Sequence, residues 1–189
     1  ERSRGLGDVY KRQMRIYIPA MLTDLHRFVD DETVLVRGGT AFALTPTLRE
    51  QYVSDDDEQL EHIAFLDAAR ASLRILTGAA GDPLPTGAAS RKRVVISADV
   101  DDKSVTCRPD LDCAVVRLAE ETIPASCVAA VHVDLDVAGD AVTAALNVID
   151  AADLGDEDAE LTVGDAEDVE LAWYAPEEVA FLLDLSELA

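Results

Sequence analysis

Three side chains that can bind a metal ion occur at alternate positions of one predicted strand. Apolar and polar residues alternate over 128–137, which predicts a β-strand, and His132, Asp134 and Asp136 project from one face of it. An imidazole and two carboxylates can hold a divalent cation that polarises a phosphoryl or carbonyl oxygen. Any strand with one buried and one solvent-facing side shows the same alternation, and we favour that simpler interpretation.

A second group of carboxylates resembles an oxygen-rich calcium loop. Asp99, Asp101 and Asp102 are followed by Asp110. An EF-hand loop that starts at Asp99 needs glycine at its sixth position and glutamate at its twelfth, where this chain has Ser104 and Asp110. We therefore reject an EF-hand here.

A glycine pair beside an arginine could form a small anion site. Gly38 and Gly39 follow Arg37 ahead of a predicted strand, and Arg49 lies in the helix after that strand. Backbone N–H groups in a glycine turn and guanidinium groups both bind anions. Pro46 removes one N–H donor from the start of that helix, so we interpret the glycine pair as a turn.

The sequence lacks the common signatures of nucleotide binding and catalysis. It contains no GxxxxGK[ST], GxGxxG, GxSxG or HExxH. The catalytic residues are thus unknown and we expect no cofactor. The absence of these signatures favours a non-catalytic cytosolic binding or regulatory protein with an acidic C-terminal half. The alternative is a small divalent-cation-dependent hydrolase or transferase that uses His132, Asp134 and Asp136.

Charge is distributed unevenly along the chain. The formal net charge is −22, and no Lys or Arg follows Arg117, whereas Asp and Glu continue to the end. Such a surface repels nucleic acid and anionic membranes, because both carry phosphate charges. We therefore expect a basic protein partner or a cation, no nucleic acid and no membrane.

The cysteines and the apolar runs indicate a soluble cytoplasmic protein. Cys107, Cys113 and Cys127 are three in number and form no CxxC pair, which favours reduced thiols. No apolar run approaches the roughly 20 residues that cross a bilayer. No signal-peptide pattern follows Met14.

Strand-helix units recur along the sequence. Strands are predicted at 15–18, 40–44, 93–100, 115–118, 128–137 and 170–174, and Pro19, Pro46 and Pro176 are each predicted to open a helix. Apolar residues at three- and four-residue steps predict a long helix that ends at Gly78. A helix is also predicted at 140–152. The acidic segment 155–168 is predicted to be a loop with a short strand at 160–163.

This pattern predicts an α+β fold with helices packed on a mixed β-sheet, in a ferredoxin-like arrangement. An open α/β sandwich is the alternative. Residues 14–189 are expected to form a single domain, and the Gly/Ala/Pro-rich loop at about 78–91 is the one plausible boundary between two halves.

The N-terminal segment resembles a translated sequencing adapter. SRGLGDVYKRQ, at 3–13, can be encoded by the bases of a transposase adapter used for genomic or metagenomic libraries. We therefore expect residues 1–13 to be adapter-derived, and the natural chain to begin at Met14.

Seven segments carry a resemblance to an uncharacterised actinobacterial family, a domain of unknown function. They occur in the same order over nearly all of 14–189, and the resemblance implies an actinobacterial source but no catalytic residues. The segments are MRIYIPAMLTDL at Met14, GTAFALTPTLREQY at Gly39, ARASLRIL at Ala69, VVISADV at Val94, AAVHVDLD at Ala129, DAADLGDEDAEL at Asp150 and ELAWYAPEEVAFLL at Glu170.

Overall fold

The computed structural model describes residues 12–53, 55–78 and 81–187. Residues 1–11, which make up most of the adapter-like segment, lie outside the described residues. Gln13, the last residue of that segment, belongs to the first strand and pairs with Asp101. Within the described ranges, no helix has both the length and the apolar character needed to cross a bilayer.

The described part of the chain contains nine strands and six α-helices. The strands are β1 (Gln13–Ala20), β2 (Thr33–Leu35), β3 (Thr40–Phe42), β4 (Val94–Asp101), β5 (Val105–Cys107), β6 (Val115–Leu118), β7 (Thr122–Pro124), β8 (Val128–Val133) and β9 (Ala172–Tyr174). The helices are α1 (Asp24–Asp30), α2 (Pro46–Gln51), α3 (Asp57–Leu76), α4 (Gly139–Asp153), α5 (Glu157–Glu167) and α6 (Val179–Glu187).

Seven of the strands form one sheet, in the order β5-β6-β3-β1-β4-β8-β9, and β2 pairs with β7 separately. Every pairing is antiparallel, so the parallel neighbours of a mixed sheet do not occur among the described strands. β3 and β4 nevertheless run in the same direction, because both are antiparallel to β1 between them. With α3 crossing from one to the other, they form the split β-α-β unit of ferredoxin-like folds. The predicted α+β class is confirmed.

The two faces of the sheet bury different sets of residues. On β1, Ile16 and Ile18 face one side and pack in a core that includes Leu25 of α1 and Val179 of α6. Tyr17 faces the other side, where the apolar face of α3 covers the sheet. α4 and α5 pack against each other and against the C-terminal part of α3.

The prediction that Pro19 opens a helix is wrong. Pro19 lies inside β1 opposite Val95, and the helix begins at Asp24, whose carboxylate accepts a hydrogen bond from the Met21 N–H at 2.8 Å. Strand β3 pairs with β1 at Tyr17, two residues earlier, so Pro19 is not paired on that side. A proline can occupy such a position because no partner there needs its N–H.

The acidic segment 155–168 is a helix, and the predicted loop with a strand at 160–163 is wrong. Asp156 caps α5 by accepting a hydrogen bond from the Ala159 N–H at 2.8 Å. Acidic residues in the first turn interact favourably with the positive end of the helix dipole. Ala159, Val163 and Ala166, at helical spacing, are buried against α4. Arg70 of α3 supplies the positive charge that this segment lacks, at 2.5 Å from Glu160.

A buried ion pair lies where β8 ends. Asp134 follows Val133 directly, and its carboxylate accepts hydrogen bonds from the Arg93 side chain, with N···O distances of 2.8 Å at both oxygens. The Arg93 and Asp134 side chains are 1% and 0% exposed. A third bond from the Arg93 side chain goes to the carbonyl of Val169, at 2.8 Å. The pair thus connects β4, β8 and the segment that follows α5.

Removing one partner of this pair is expected to destabilise the protein strongly. Asp134→Asn leaves the Arg93 charge buried without compensation, which costs about 3–5 kcal/mol of unfolding free energy. The double variant Arg93→Met/Asp134→Leu should recover most of that loss, because it removes both charges. Urea denaturation measures all three proteins. Asp136→Asn, an exposed neighbour, is the control. A loss for Asp134→Asn no larger than that of the control would contradict the expectation.

Candidate functional site

A cavity of about 570 Å³ lies between α3 and the sheet. Its size suits a small organic ligand. Strands β1, β4, β8 and β9 provide the floor and one wall, α3 the opposite wall, and the end of α5 with the segment after it part of the rim. The lining residues used below are Arg15, Tyr17, Glu58, Glu61, His62, Phe65, Ser97, Ala130, His132, Glu167, Asp168, Glu170 and Trp173.

Strand register brings the floor residues together. Tyr17 lies opposite Ser97, and Ser97 lies opposite Ala130. His132, two residues after Ala130, lies opposite Trp173. Directly opposed residues of antiparallel strands point to the same side, so all five side chains face α3.

Ser97 and His132 form a hydrogen-bonded pair at the floor. The Ser97 Oγ and His132 Nε2 atoms are 3.0 Å apart, and the His132 ring makes an edge contact with Phe65, with centroids 4.8 Å apart. Burial, reinforced by the Arg15 charge, lowers the pKa of His132 to about 4. The imidazole is therefore neutral at physiological pH.

Tyr17 presents a hydroxyl group to the cavity without a protein partner. Its side chain is 7% exposed and packs edge-on against Phe65. No described residue forms a hydrogen bond with this hydroxyl. Among the described side chains, Arg93 has the one polar atom that is fully enclosed and unpaired, so the Tyr17 hydroxyl must contact open space. Burial, with a contribution from the Glu61 charge, raises the pKa of Tyr17 to about 12.

Carboxylates surround the cavity opening. Glu58 and Glu61 come from α3, and Asp168 and Glu170 from the segment after α5. None of these four takes part in an ion pair among the described residues. Glu167 is 3.6 Å from Arg70, and burial raises its pKa. The opening therefore carries an excess of negative charge.

One guanidinium group, that of Arg15, lies among these carboxylates and forms an ion pair with Asp99. Arg15 donates two hydrogen bonds to Asp99, at 2.7 and 3.0 Å. The bonds from Asp99 and burial act in opposite directions on the pKa of Arg15, and the net effect is to raise it. Arg15 is thus paired mainly with Asp99, and its charge also acts on Glu61, so it offsets part of the negative charge of the rim.

The structure separates the three residues proposed as metal ligands. His132 lies in the cavity, Asp134 is buried against Arg93, and Asp136 is exposed in a 3₁₀ turn after the strand, 2.7 Å from Lys92. Across the described ranges, no three His, Cys, Asp or Glu residues are grouped as metal ligands. The strand is shorter than the predicted 128–137, so its alternation does not extend to Asp136.

The possible anion site near Gly38 is a turn. Gly38 and Gly39 have φ angles of 60° and 67°, and a Cβ atom on Gly39 would lie 2.6 Å from the Leu118 carbonyl oxygen. The guanidinium group of Arg37 forms ion pairs with two carboxylates, Asp24 at 2.7 Å and Asp82 at 2.5 Å, and all three of its nitrogen atoms donate hydrogen bonds to them.

Sequence reasoning identified His132 but not its neighbours in the cavity. Tyr17, Ser97 and Trp173 lie in strands that were predicted, and each alternates with apolar residues. A polar residue on the strand face that a long helix covers is a signal for a buried site. Tyr17, Ser97 and Trp173 could have been identified in this way, because the sequence already predicted α3 and its apolar stripe.

The low pKa of His132 predicts how stability changes with pH. The pKa is about 4 in the folded protein and about 6.5 in an unfolded chain. Between these values the unfolded chain binds a proton that the folded protein does not. The free energy of unfolding should therefore decrease as pH falls from 6.5 to 4, by about 2 kcal/mol for this group after allowance for its partial exposure.

Urea denaturation of the wild type and His132→Gln across this pH range measures the effect. The difference between the two proteins should change with pH by that amount. A constant difference, or an NMR titration that places the His132 pKa near 6.5, would contradict the expectation.

Comparison with known proteins gives a family for the chain. A family model described as a family of unknown function (DUF6912) matches residues 14–183. No curated protein and no solved structure matches. Since the match covers most of the chain and includes every strand and wall of the cavity, the protein belongs to this family of unknown function.

Proposed function

We propose that the protein is a non-catalytic cytosolic binding protein whose partner, a basic protein or an organic cation, places positive charge in the cavity opening. The main support is the set of four rim carboxylates, Glu58, Glu61, Asp168 and Glu170, none of which forms an ion pair among the described residues. Carboxylates held close together without a cation repel one another. A positively charged group between them relieves that repulsion.

The distribution of cations along the chain favours such a partner. Arg70 and Arg74 neutralise carboxylates of α4 and α5, with Arg74 at 2.6 Å and Arg70 at 3.1 Å from Asp153. No Lys or Arg follows Arg117, so the segment after α5 has no cation of its own. Arg15 is the one basic side chain among the described residues that line the cavity, so the rim keeps an excess of negative charge, and an anionic partner such as nucleic acid is disfavoured.

Aromatic side chains along the cavity also suit a cation. Phe65 lies between the rings of Tyr17 and His132, and its ring stacks with His62 at 6.1 Å. Trp173 lines the same space. The faces of Phe, Tyr and Trp rings attract ammonium and guanidinium groups.

The chemistry of the floor favours binding over catalysis. Ser97 and His132 resemble a nucleophile and its base, but a base with a pKa of about 4 accepts a proton poorly near pH 7. Ser97 is also 2% exposed, in the middle of a strand.

The cysteines bear on the proposed cytosolic location. Cys107, Cys113 and Cys127 are all free, which fits a reducing compartment.

Titration with a basic peptide tests this proposal. Trp173 is the single tryptophan of the chain and lines the cavity, so its fluorescence reports binding there. Hexalysine should change this fluorescence saturably, and hexaglutamate should not. The double variant Glu61→Gln/Glu170→Gln should weaken hexalysine binding by about fivefold or more, and added salt should weaken it further.

The matched control is Asp30→Asn/Asp184→Asn. It removes the same charge from α1 and α6, which pack on the opposite side of the sheet. This control should bind hexalysine nearly as the wild type does. Equal weakening in both double variants would show that net charge, rather than the cavity, attracts the peptide.

A further inference from the structure

We propose that the cavity binds a small arylalkyl ammonium ion, with its ring among the aromatic side chains and its ammonium group between Tyr17 and Glu61. This inference rests on the proposed function and names the ligand class of the same site. It uses three features of the cavity, namely the unpaired Tyr17 hydroxyl, the aromatic cluster around Phe65, and the unpaired carboxylate of Glu61.

The Tyr17 hydroxyl needs a partner that the protein does not provide. The side chain is 7% exposed, contacts the cavity and has no hydrogen bond to a described residue. The ring is buried while the hydroxyl opens onto the cavity, so a ligand atom that enters the cavity can form a hydrogen bond with it. The charges of Glu61 and Arg15 both act on this hydroxyl, and the effect of Glu61 is the larger. An ammonium group has three donors and no acceptor, and it can donate to both oxygens at once.

The aromatic cluster favours a ligand with an aromatic body. Phe65 makes edge contacts with Tyr17, at 5.9 Å, and with His132, at 4.8 Å, and Trp173 lines the same cavity. Aromatic pairs prefer offset-stacked and edge-to-face arrangements, and they contribute beyond the apolar area that they bury. A ring in this space buries apolar surface against Phe65 and Trp173 while its alkyl chain carries the charge to the carboxylates.

The dimensions fit a free small molecule better than the tip of a protein side chain. A volume of about 570 Å³ lies within the range of cavities that enclose a whole small ligand. Tyr17 and Ser97, at the floor, are 7% and 2% exposed, so the polar groups lie well below the rim. A lysine side chain of a protein partner brings no ring to the cluster around Phe65.

Three related probes test the ligand class by calorimetry and Trp173 fluorescence. Phenethylammonium has the ring and the charge, 3-phenylpropionate has the ring with the opposite charge, and n-butylammonium has the charge without a ring. Phenethylammonium should bind saturably. The propionate should bind at least about tenfold more weakly, because its carboxylate meets the rim carboxylates, and n-butylammonium about five- to tenfold more weakly, because it lacks the ring.

Two variants test the assigned contacts. Tyr17→Phe keeps the ring that packs on Phe65 and removes the hydroxyl, and it should weaken phenethylammonium binding by about fivefold. Glu61→Gln keeps the shape of the side chain and removes the charge, and it should weaken binding by about tenfold. Asp184→Asn, on α6, should bind as the wild type does. Thermal unfolding of each variant verifies that it is folded.

The outcomes separate this inference from the proposed function. If hexalysine binds and phenethylammonium does not, the small-amine ligand is wrong and a macromolecular partner is favoured. If neither binds, both proposals fail. Equal binding of phenethylammonium and 3-phenylpropionate would overturn the role of charge, and an unchanged affinity in Tyr17→Phe would overturn the contact with that hydroxyl.

Discussion

The buried ion pair between Arg93 and Asp134 fixes both the end of the sheet and one side of the cavity. Asp134 turns inward directly after β8, and Arg93, directly before β4, meets it with two side-chain hydrogen bonds. The same guanidinium group holds the carbonyl of Val169, in the segment that carries Asp168 and Glu170 to the cavity rim. Burying two charges costs desolvation energy, which is recovered only while the bonds between them remain in place. The position of the cavity rim thus depends on the buried ion pair between Arg93 and Asp134.

Helix α3 has a different electrostatic role at each end. Its N-terminal part presents Glu58 and Glu61 to the cavity, without ion pairs among the described residues, whereas Arg70 and Arg74 in its C-terminal part form ion pairs with carboxylates of α4 and α5. The apolar stripe between these ends packs on the sheet. One helix therefore stabilises the acidic C-terminal helices and also leaves a negatively charged opening beside them.

Local patterns in the sequence predicted much of the fold and little of the site. The long helix α3 and strands such as β4 follow from periodicity and capping, which depend on neighbouring residues. Pro19 was assigned to a helix because its strand pairing depends on β4, which lies more than 70 residues away. Segment 155–168 was assigned to a loop because its charge is dense, and the arginine that pairs with two of its carboxylates, Arg70, comes from another element. His132 was identified by its residue type. Its hydrogen bond to Ser97, and the ion pair with Arg93 that keeps Asp134 away from the cavity, depend on strand register, which the sequence does not display.

The interleaved order of the sheet has a consequence for the loop between Gly78 and Arg93. Strand β1, from before this loop, lies between β3 and β4, and β6, from after it, is the outer neighbour of β3. A peptide-bond break in the loop would therefore produce two fragments, neither of which contains a complete sheet. The second fragment would carry the carboxylates of α4 and α5 without the arginines of α3 that compensate them. The loop is thus a natural position at which to divide the protein into halves that recognise each other through strand pairing and through the ion pairs of Arg70 and Arg74, in the manner of a split-protein reporter.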